Sequence, residues 1–352
     1  ARWRREPRAP ALAAAAAMSS RPEALLGLLA DGSLHSGAAL AAEMQVSRAA
    51  IWKMVGELRD LGVDVESLPR RGYRLPRGVE LLDEQKIRAA AQQQGTPLPA
   101  DLEVLFETDS TNVHLNDAAP PAPGRPRVAF AELQRAGRGR RGRSWLAPFG
   151  SGLAFSVAWT FAETPADLPA LGLAVGVSVT EALHRLGFVE VRVKWPNDIV
   201  WRNRKLGGLL LQMRSEIGGG ASVVAGLGLN IALPAAARSA LEGPGLLPAT
   251  DLCEIDPGRV PERNTLAAAL AVAMLAALAE FKDSGFAAFA ARWTGLDALA
   301  GGRVRVSHGT ESIEGKALGV EADGALRVAV ADRIERFYSG DVSLRPAGDQ
   351  RS

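Results

Sequence analysis

Gly137-Arg138-Gly139-Arg140-Arg141-Gly142-Arg143-Ser144-Trp145 is the stretch on which the fold turns. Gly137-x-Gly139-x-x-Gly142 spells the glycine spacing of a dinucleotide-binding turn, a signal that counts only between a strand and a helix. A strand-like run, Val128 to Leu133, precedes it. The residues after it, Ser144 to Gly150, include Pro148 and cannot open a long helix, and no acidic residue closes a second strand about twenty positions on. A Walker-type loop would need Gly-Lys-Ser/Thr, which is missing. The stretch therefore reads as a mobile loop that closes over an anion. Arginine is a fixed cation with a planar fork for phosphate or carboxylate, and glycine lets the backbone approach a ligand. Taken alone, such a run fits a basic nucleic-acid-binding surface loop equally well.

A second cation follows. Lys194-Trp195-Pro196-Asn197-Asp198 ends a strand-like run from Val189 to Trp195. Around these two stretches, the patterning predicts strands at Leu102 to Glu107, Gly152 to Thr160, Leu209 to Met213 and Val223 to Leu229. Helices are expected at Asp83 to Gln94, Leu168 to Leu186 and Thr265 to Phe281. Strands often adjoin in sequence, which suits a mixed, mainly antiparallel α/β sheet better than repeated βαβ units.

Toward the amino terminus, Pro22 to Ala30 reads as a short helix. Ser36 and Ser47 sit where caps belong, and Ile51, Val55, Leu58 and Leu61 share a helical face. Val63 to Val65 and Leu68 to Leu75 then read as a hairpin, giving a winged helix-turn-helix. Ser47, Arg48 and Lys53 on the third helix and Arg70 and Arg71 on the wing, with Arg74 and Arg77 beside them, are the candidate DNA contacts. A small helical docking domain with an ordinary charged surface is the alternative. Toward the carboxyl terminus, Arg303 to Ser307, Ser312 to Val320, Ala325 to Val330 and Arg333 to Ser339 alternate as short strands of a small β-barrel.

Composition bounds the rest. At 352 residues, 47% of them hydrophobic, the chain has room for two or three domains. No uninterrupted apolar run reaches the roughly 18 residues of a membrane span, and Leu266 to Ala279 reads as a buried helix. Cys253 is the single cysteine, so a disulfide framework is excluded, a reducing cytoplasmic setting is expected, and metal-ligand spacing is absent. Any metal should be a hard cation arriving with a phosphate substrate. Residues 1–17 carry four arginines against one glutamate, and without them the formal charge of +2 becomes −1, so the chain is not broadly basic. This start is expected to be a disordered extension or a misread start ahead of Met18, with export less favoured.

In order along the chain come Glu107-Thr108-Asp109-Ser110-Thr111-Asn112, Gln134-x-x-Gly137-Arg138-Gly139-Arg140-Arg141-Gly142-Arg143-x-Trp145, Lys194-Trp195-Pro196-Asn197-Asp198, Arg204-Lys205-Leu206-x-Gly208 and Gly226-x-Gly228-x-Asn230. This succession resembles the biotin protein ligases, and the amino-terminal winged helix makes it similar to the bifunctional type that also represses transcription. The resemblance implies a multidomain α+β chain. It would comprise an extension (1–17), a winged helix-turn-helix DNA-binding domain (18–79), a central mixed α/β biotin- and ATP-binding domain (80–297) and a small SH3-like β-barrel (298–348).

It also implies chemistry. Biotin's carboxylate would attack the α-phosphorus of ATP to give biotinyl-5′-AMP and pyrophosphate, with Mg²⁺ accompanying ATP and no tightly bound metal. A lysine of the biotin carboxyl carrier protein of acetyl-CoA carboxylase would then take the biotinyl group. Lys194, Arg138, Arg140 and Arg143 are the expected catalytic cations. Ser110, Thr111, Asn112, Gln134, Gly137, Arg138, Arg140, Lys194, Lys205 and Gly208 match biotin-binding positions. Arg138, Arg140, Arg143, Trp145, Lys194, Asn197 and Asn230 match the nucleotide side. Ser-Thr-Asn also commonly serves turns and caps. Operator DNA and a homodimer promoted by the adenylate are implied partners, with no membrane. A biotin-sensing regulator without turnover, or a ligase for another acyl group such as lipoate, stays open. One departure from the family pattern stands out: Ile231 to Thr250, which should cover the adenylate, contains no aromatic residue, leaving Leu246 and Leu247 as apolar cover.

Overall fold

The computed structural model describes residues 21–215, 219–241, 243, 246–308, 311–338 and 342–346; the extension expected over 1–17 lies outside them. The chain divides into two compact units, residues 1–81 and 82–352.

In the first unit, α1 (Arg21–Leu29), α2 (Gly37–Glu43) and α3 (Arg48–Asp60) are followed by a hairpin of β1 (Glu66–Leu68) and β2 (Gly72–Arg74). Ser36 Oγ accepts from Ala39 N at 3.0 Å and Ser47 Oγ from Ala50 N at 3.1 Å, satisfying first-turn amides that lack helical partners. Leu25, Leu26, Leu29, Leu40, Ile51, Val55 and Leu58 are buried, as the helical spacing requires. The wing begins later than the sequence suggests. Val63 and Val65 are buried, but their amides bond locally to Leu58 and Val63 carbonyls, so pairing starts at Glu66. Gly72 has φ +140°, and a Cβ there would lie 1.9 Å from His35 O, so the hairpin reaches the backbone ahead of α2 only through glycine.

The second unit is built on a seven-stranded sheet of order β3-β4-β5-β9-β8-β7-β6. Its strands are β3 (Leu102–Thr108), β4 (Arg127–Gln134), β5 (Gly152–Phe161), β6 (Arg192–Lys194), β7 (Asp198–Trp201), β8 (Arg204–Ser215) and β9 (Ala221–Asn230). Only β3 and β4 are parallel, joined through the short helix α5 (Thr111–Asp117) that follows α4 (Glu84–Gln93). All other pairs are antiparallel, and the arginine–glycine loop leads into β5, not into a helix.

Alternation along the strands gives the sheet two different faces. Leu153, Phe155, Val157, Trp159 and Phe161 of β5 and Val223, Ala225, Leu227 and Leu229 of β9 enter the main core. That core is closed by α4, α6 (Leu171–Arg185), α9 (Arg263–Ser284) and α10 (Ala287–Leu296). Helix α9 is long and apolar enough to cross a membrane, yet 67% of its most apolar window is buried inside the protein, as befits a core helix. On the opposite face, a small cluster of Leu115, Ala129, Ala158 and Val224 seats α5. The remaining positions there are small or polar: Ser156 on β5, and Gly226, Gly228 and Asn230 on β9.

The strand expected from Val189 to Trp195 shrinks to Arg192–Lys194, because Val189 is 60% exposed and leaves the sheet. The sequence reading omitted β7. It forms a hairpin with β8 through Arg202 (φ 46°) and Asn203 (φ 60°), a two-residue turn with both residues left-handed. Helices α5 and α10, and the short α7 (Ala235–Ala240) and α8 (Leu252–Ile255), were also not anticipated.

At the carboxyl end, β10 (Arg303–His308), β11 (Glu311–Val320), β12 (Leu326–Val330), β13 (Arg333–Phe337) and β14 (Val342–Pro346) form an antiparallel sheet of order β13-β12-β11-β10-β14. Among the described residues no ladder joins β13 to β14. The expected closed barrel is therefore an open five-stranded sheet, with a fifth strand the sequence did not announce. Val304, Val306, Ala317, Leu326 and Val328 join the main core, and Trp195 Nε1 donates to Gly324 O at 3.1 Å.

Candidate active site

The small-residue face of the sheet opens into a cavity of about 720 Å³. Ser110, Thr111, Asn112, Gln134, Arg138, Arg140, Arg143, Trp145, Lys194, Asn197, Lys205, Gly208 and Asn230 all line it. Gly137 is the one candidate that does not. It sits at the base of the arginine–glycine loop, where a Cβ would lie 2.5 Å from Trp145 O.

One end of the cavity is a neutral polar cradle at the start of α5. Ser110 occupies the cap position but makes no side-chain cap bond, and the side chains of Thr111 and Asn112 turn inward, so the capping explanation for Ser-Thr-Asn fails here. Gln134 Oε1 accepts from Thr111 N at 2.8 Å, and the Thr111 and Ser156 hydroxyls lie 2.7 Å apart. Ser156 Oγ donates to Asn112 Oδ1 at 2.6 Å, while Asn112 Nδ2 donates to Leu210 O at 3.1 Å. A Cβ at Gly226 would stand 1.9 Å from Asn112 Oδ1, so the cradle exists only because that strand position has no side chain. A buried, interlinked network of this kind holds its groups in one arrangement.

The other end is cationic. The loop closes on itself as a small hairpin: Trp145 N donates to Gly137 O and Gly139 N to Arg143 O, both at 2.7 Å, and Arg138 bridges Ser144. Arg141 (φ 59°) and Gly142 (φ +68°) make its tip. Arg140 Nη1 donates to Asn197 Oδ1 at 3.2 Å, and Asn197 Nδ2 is anchored on Leu209 O at 2.7 Å. Burial, with the like charge of Arg141 beside it, pulls the Arg140 guanidinium below its ordinary value, against the attraction of Asp198.

Asp198 is the residue that sequence reasoning passed over. Its Oδ1 lies 2.6 Å from Lys205 Nζ and its Oδ2 3.7 Å from Lys194 Nζ. Burial pushes its carboxyl up, but Lys205, Lys194 and Arg140 together outweigh that and hold it below the usual carboxylate value. The two lysines differ in access: Lys194's side chain is 6% exposed and Lys205's 34%. Both lysines line the cavity. Ser156 was missed as well, being hidden in an apolar strand, while Asp198 stood inside the quoted Lys-Trp-Pro-Asn-Asp motif.

Between the two ends lies an aromatic wall. Trp145 lies against Gly228, where a Cβ would come within 2.3 Å of its ring, and Lys205 Nζ sits 5.9 Å from the indole centroid. Asn230 is 3% exposed. Its Nδ2 donates to Thr250 O at 3.0 Å, leaving Oδ1 without a partner among the described residues. The aromatic-free segment forms the cover through Leu241, Leu246 and Leu247. It is tied to the site's cation, since Lys205 N donates to Pro248 O and Thr250 N to Lys205 O. Arg238, on Asp251 at 2.6 Å and also on Glu254, holds its base.

The DNA-contact candidates lie in the other unit. Arg48, Lys53, Arg70 and Arg71 are exposed; Lys53 pairs with Glu57 at 3.6 Å. Ser47 spends its hydroxyl oxygen on the α3 cap.

Family models match three stretches: an HTH domain over residues 21–74, the biotin/lipoate A/B protein ligase family over 106–230, and the biotin protein ligase C-terminal domain over 300–345. The chain is 37% identical to the bifunctional ligase/repressor BirA of Escherichia coli, covering 93% of this chain and 98% of that protein. It is 30% identical to the biotin–[acetyl-CoA-carboxylase] ligase of Mycobacterium tuberculosis, over 74% of this chain and 95% of that one. The solved structure of the Aquifex aeolicus biotin protein ligase in complex with biotin and ATP superposes with a TM-score of 0.59 at 27% identity, covering 70% of this chain and all of that one.

Proposed function

Because this chain belongs to the biotin protein ligase family, with the bifunctional ligase/repressors among its relatives, we propose the following division of labour for its residues. The protein is an ATP-dependent biotin protein ligase that also carries a repressor's DNA-binding domain. The observation that carries the assignment is the polarity of the cavity, a neutral donor–acceptor cradle at one end and clustered cations at the other.

Biotin's ureido ring needs donors and acceptors within an otherwise apolar pocket. Ser110, Thr111, Asn112 and Gln134 supply them, with Gly208 lining the pocket and Gly137 letting the loop close against Trp145 O. The carboxylate then points toward Arg138, Arg140, Lys194 and Lys205. As the nucleophile is already ionised, no base is required. A carboxylate oxygen attacks the α-phosphorus, the bond to the β-phosphate oxygen breaks, and pyrophosphate leaves with its charge met by Arg138, Arg140 and Arg143. The difficulty of this step is the approach of an anion to a polyanion, and fixed cations remove it by positioning and field. Asp198 keeps Lys194 and Lys205 together at that point. Trp145, Asn197 and Asn230 hold the nucleotide. In the second step a carrier lysine's neutral amine attacks the acyl carbon, and AMP departs.

Mg²⁺ enters as part of the ATP substrate. Among the described residues no cluster of three His, Cys, Asp or Glu could hold a metal, and Asp198 is engaged by two lysines. The partners we propose are the biotin carboxyl carrier protein of acetyl-CoA carboxylase and operator DNA. Biotinyl-5′-AMP would favour a homodimer that places two winged helices on paired half-sites. The domain limits proposed are 18–79, 80–297 and 298–348.

The test is incubation with biotin, MgATP and a biotin carrier domain, followed by intact mass. A biotin-sized gain on the carrier, with pyrophosphate released, is expected; biotin bound without pyrophosphate release would overturn the ligase reading.

A further inference from the structure

Tryptophan 52 stands out of the surface of the first unit. It is 71% exposed, whereas Trp159, Trp195 and Trp293 are at most 9% exposed and Trp145 and Trp201 are half-buried. Single exposed apolar side chains are ordinary, so exposure alone says little. The setting says more. Ile51, Met54, Val55 and Leu58 turn to the core, leaving Arg48, Ala49, Trp52, Lys53 and Gly56 along the outer face of α3.

This face is built to meet a polyanion at close range. Arg48 lies at its amino-terminal end, and Arg48, Arg70 and Arg71 make no ion pair among the described residues. Glu57, the carboxylate adjoining the face, is paired with Lys53 at 3.6 Å. Ala49 and Gly56, one turn either side of the indole, have little or no side chain, and a Cβ at Gly56 would meet nothing within 4 Å. A backbone flanked this way can sit deep in a groove. An indole buries about 150–250 Å² and would be a poor partner for phosphate. In the DNA major groove, however, each thymine offers one apolar feature, its 5-methyl group, among hydrogen-bonding edges.

We propose that Trp52 is a sequence-determining residue whose indole packs on thymine 5-methyl groups in the major groove and sets an A·T preference within each half-site. Arg48 and Lys53 fix the helix on the phosphates, and Trp52 reads. The inference rests on the DNA-binding reading of the winged helix.

The full chain with biotin and ATP is used to select duplexes from a random library, and each thymine of the enriched sequence is then replaced by deoxyuridine, which removes only the methyl. For the unaltered chain, one or two thymines per half-site should lose several-fold affinity on that replacement. Trp52→Ala should bind the enriched duplex about tenfold more weakly, the effect of one wrong base pair. It should also lose the thymine preference in its own selection and become indifferent to deoxyuridine. Trp52→Phe should keep the preference. Biotin ligation, measured on each variant, should be unchanged and reports the second unit; retained salt-dependent binding of Trp52→Ala to an unselected duplex shows that the winged helix is folded. An identical selected sequence for Trp52→Ala, or deoxyuridine without effect on the unaltered chain, overturns the proposal while leaving DNA binding standing. No enrichment by the unaltered chain defeats the DNA-binding reading itself, and the proposal with it.

Discussion

Lys205 Nζ lies 2.6 Å from Asp198 Oδ1, and the opposite oxygen of the same carboxylate faces Lys194 Nζ at 3.7 Å. One anion thus gathers two cations from different strands at the cavity wall. Asp198→Asn should lower the rate of adenylate formation about a hundredfold, comparable to losing one oriented charge, with biotin affinity changed far less. Lys194→Ala should do the same. Stopped-flow pyrophosphate release alongside biotin titration separates the two effects, and normal adenylate synthesis by Lys194→Ala would remove that residue from its role.

The same carboxylate fixes a pH expectation. Its folded pKa is below the ordinary 3.8, so the pairing contributes fully above that value and is lost only as pH falls through the lower folded value. Adenylate formation at saturating substrates should therefore show no acidic limb from Asp198 between about pH 5 and 8. A limb near neutrality that vanishes in Asp198→Asn would contradict it.

Two glycines on β9 should divide the cavity into its subsites. Gly226→Ala drives a methyl into Asn112 and should abolish biotin binding; Gly228→Ala displaces Trp145 and should raise the KM for ATP at least tenfold while biotin still binds. Calorimetric titration of each variant with biotin alone, then steady-state kinetics in ATP, checks the division. Equal damage to both ligands by either substitution would count against it.

The wing should behave as phosphate-binding surface. Arg70→Ala with Arg71→Ala should weaken DNA binding uniformly across sequences and make the salt dependence shallower by about 2 in log–log slope. Ligation should be untouched. An unaltered slope would take these arginines off the DNA.

Beneath the sheet's apolar face, Glu132 and Arg263 form a buried pair at 2.9 Å, 4% and 7% exposed. Glu132 also accepts from Leu82 N, and Arg263 donates to Gly152 O. Glu132→Ala removes the carboxylate that Arg263 and the Leu82 amide share and should destabilise the second unit by about 3 kcal/mol, read from its urea transition.

Much of this was legible in the residues. Ser36 and Ser47 announce helices because a cap is a local event, and the apolar run from Val223 to Leu229 announces a strand for the same reason. What escaped depends on convergence. Ser156 sits in a run of apolar residues and becomes part of the cradle only when α5 is laid across β5. Asp198 acquires its role from Lys205, seven positions on, after a turn whose Arg202-Asn203 pair gave a weak signal. The open carboxyl-terminal sheet could not be told from a closed one, because closure is a matter of whether β13 reaches β14, not of strand content.

The division of the central sheet into an oily face and a bare one means that what the enzyme tolerates and what it recognises are written in separate letters of the same strands. Odd positions of β5 and β9 carry the main core, whereas Ser156, Gly226, Gly228 and Asn230 on the other face build the cradle and the cavity wall. Substitutions at Gly226 or Gly228 should therefore reach the ligands, through Asn112 and Trp145, before they reach the core. An insertion of a single residue in β9 would swap the two alphabets and lose both together.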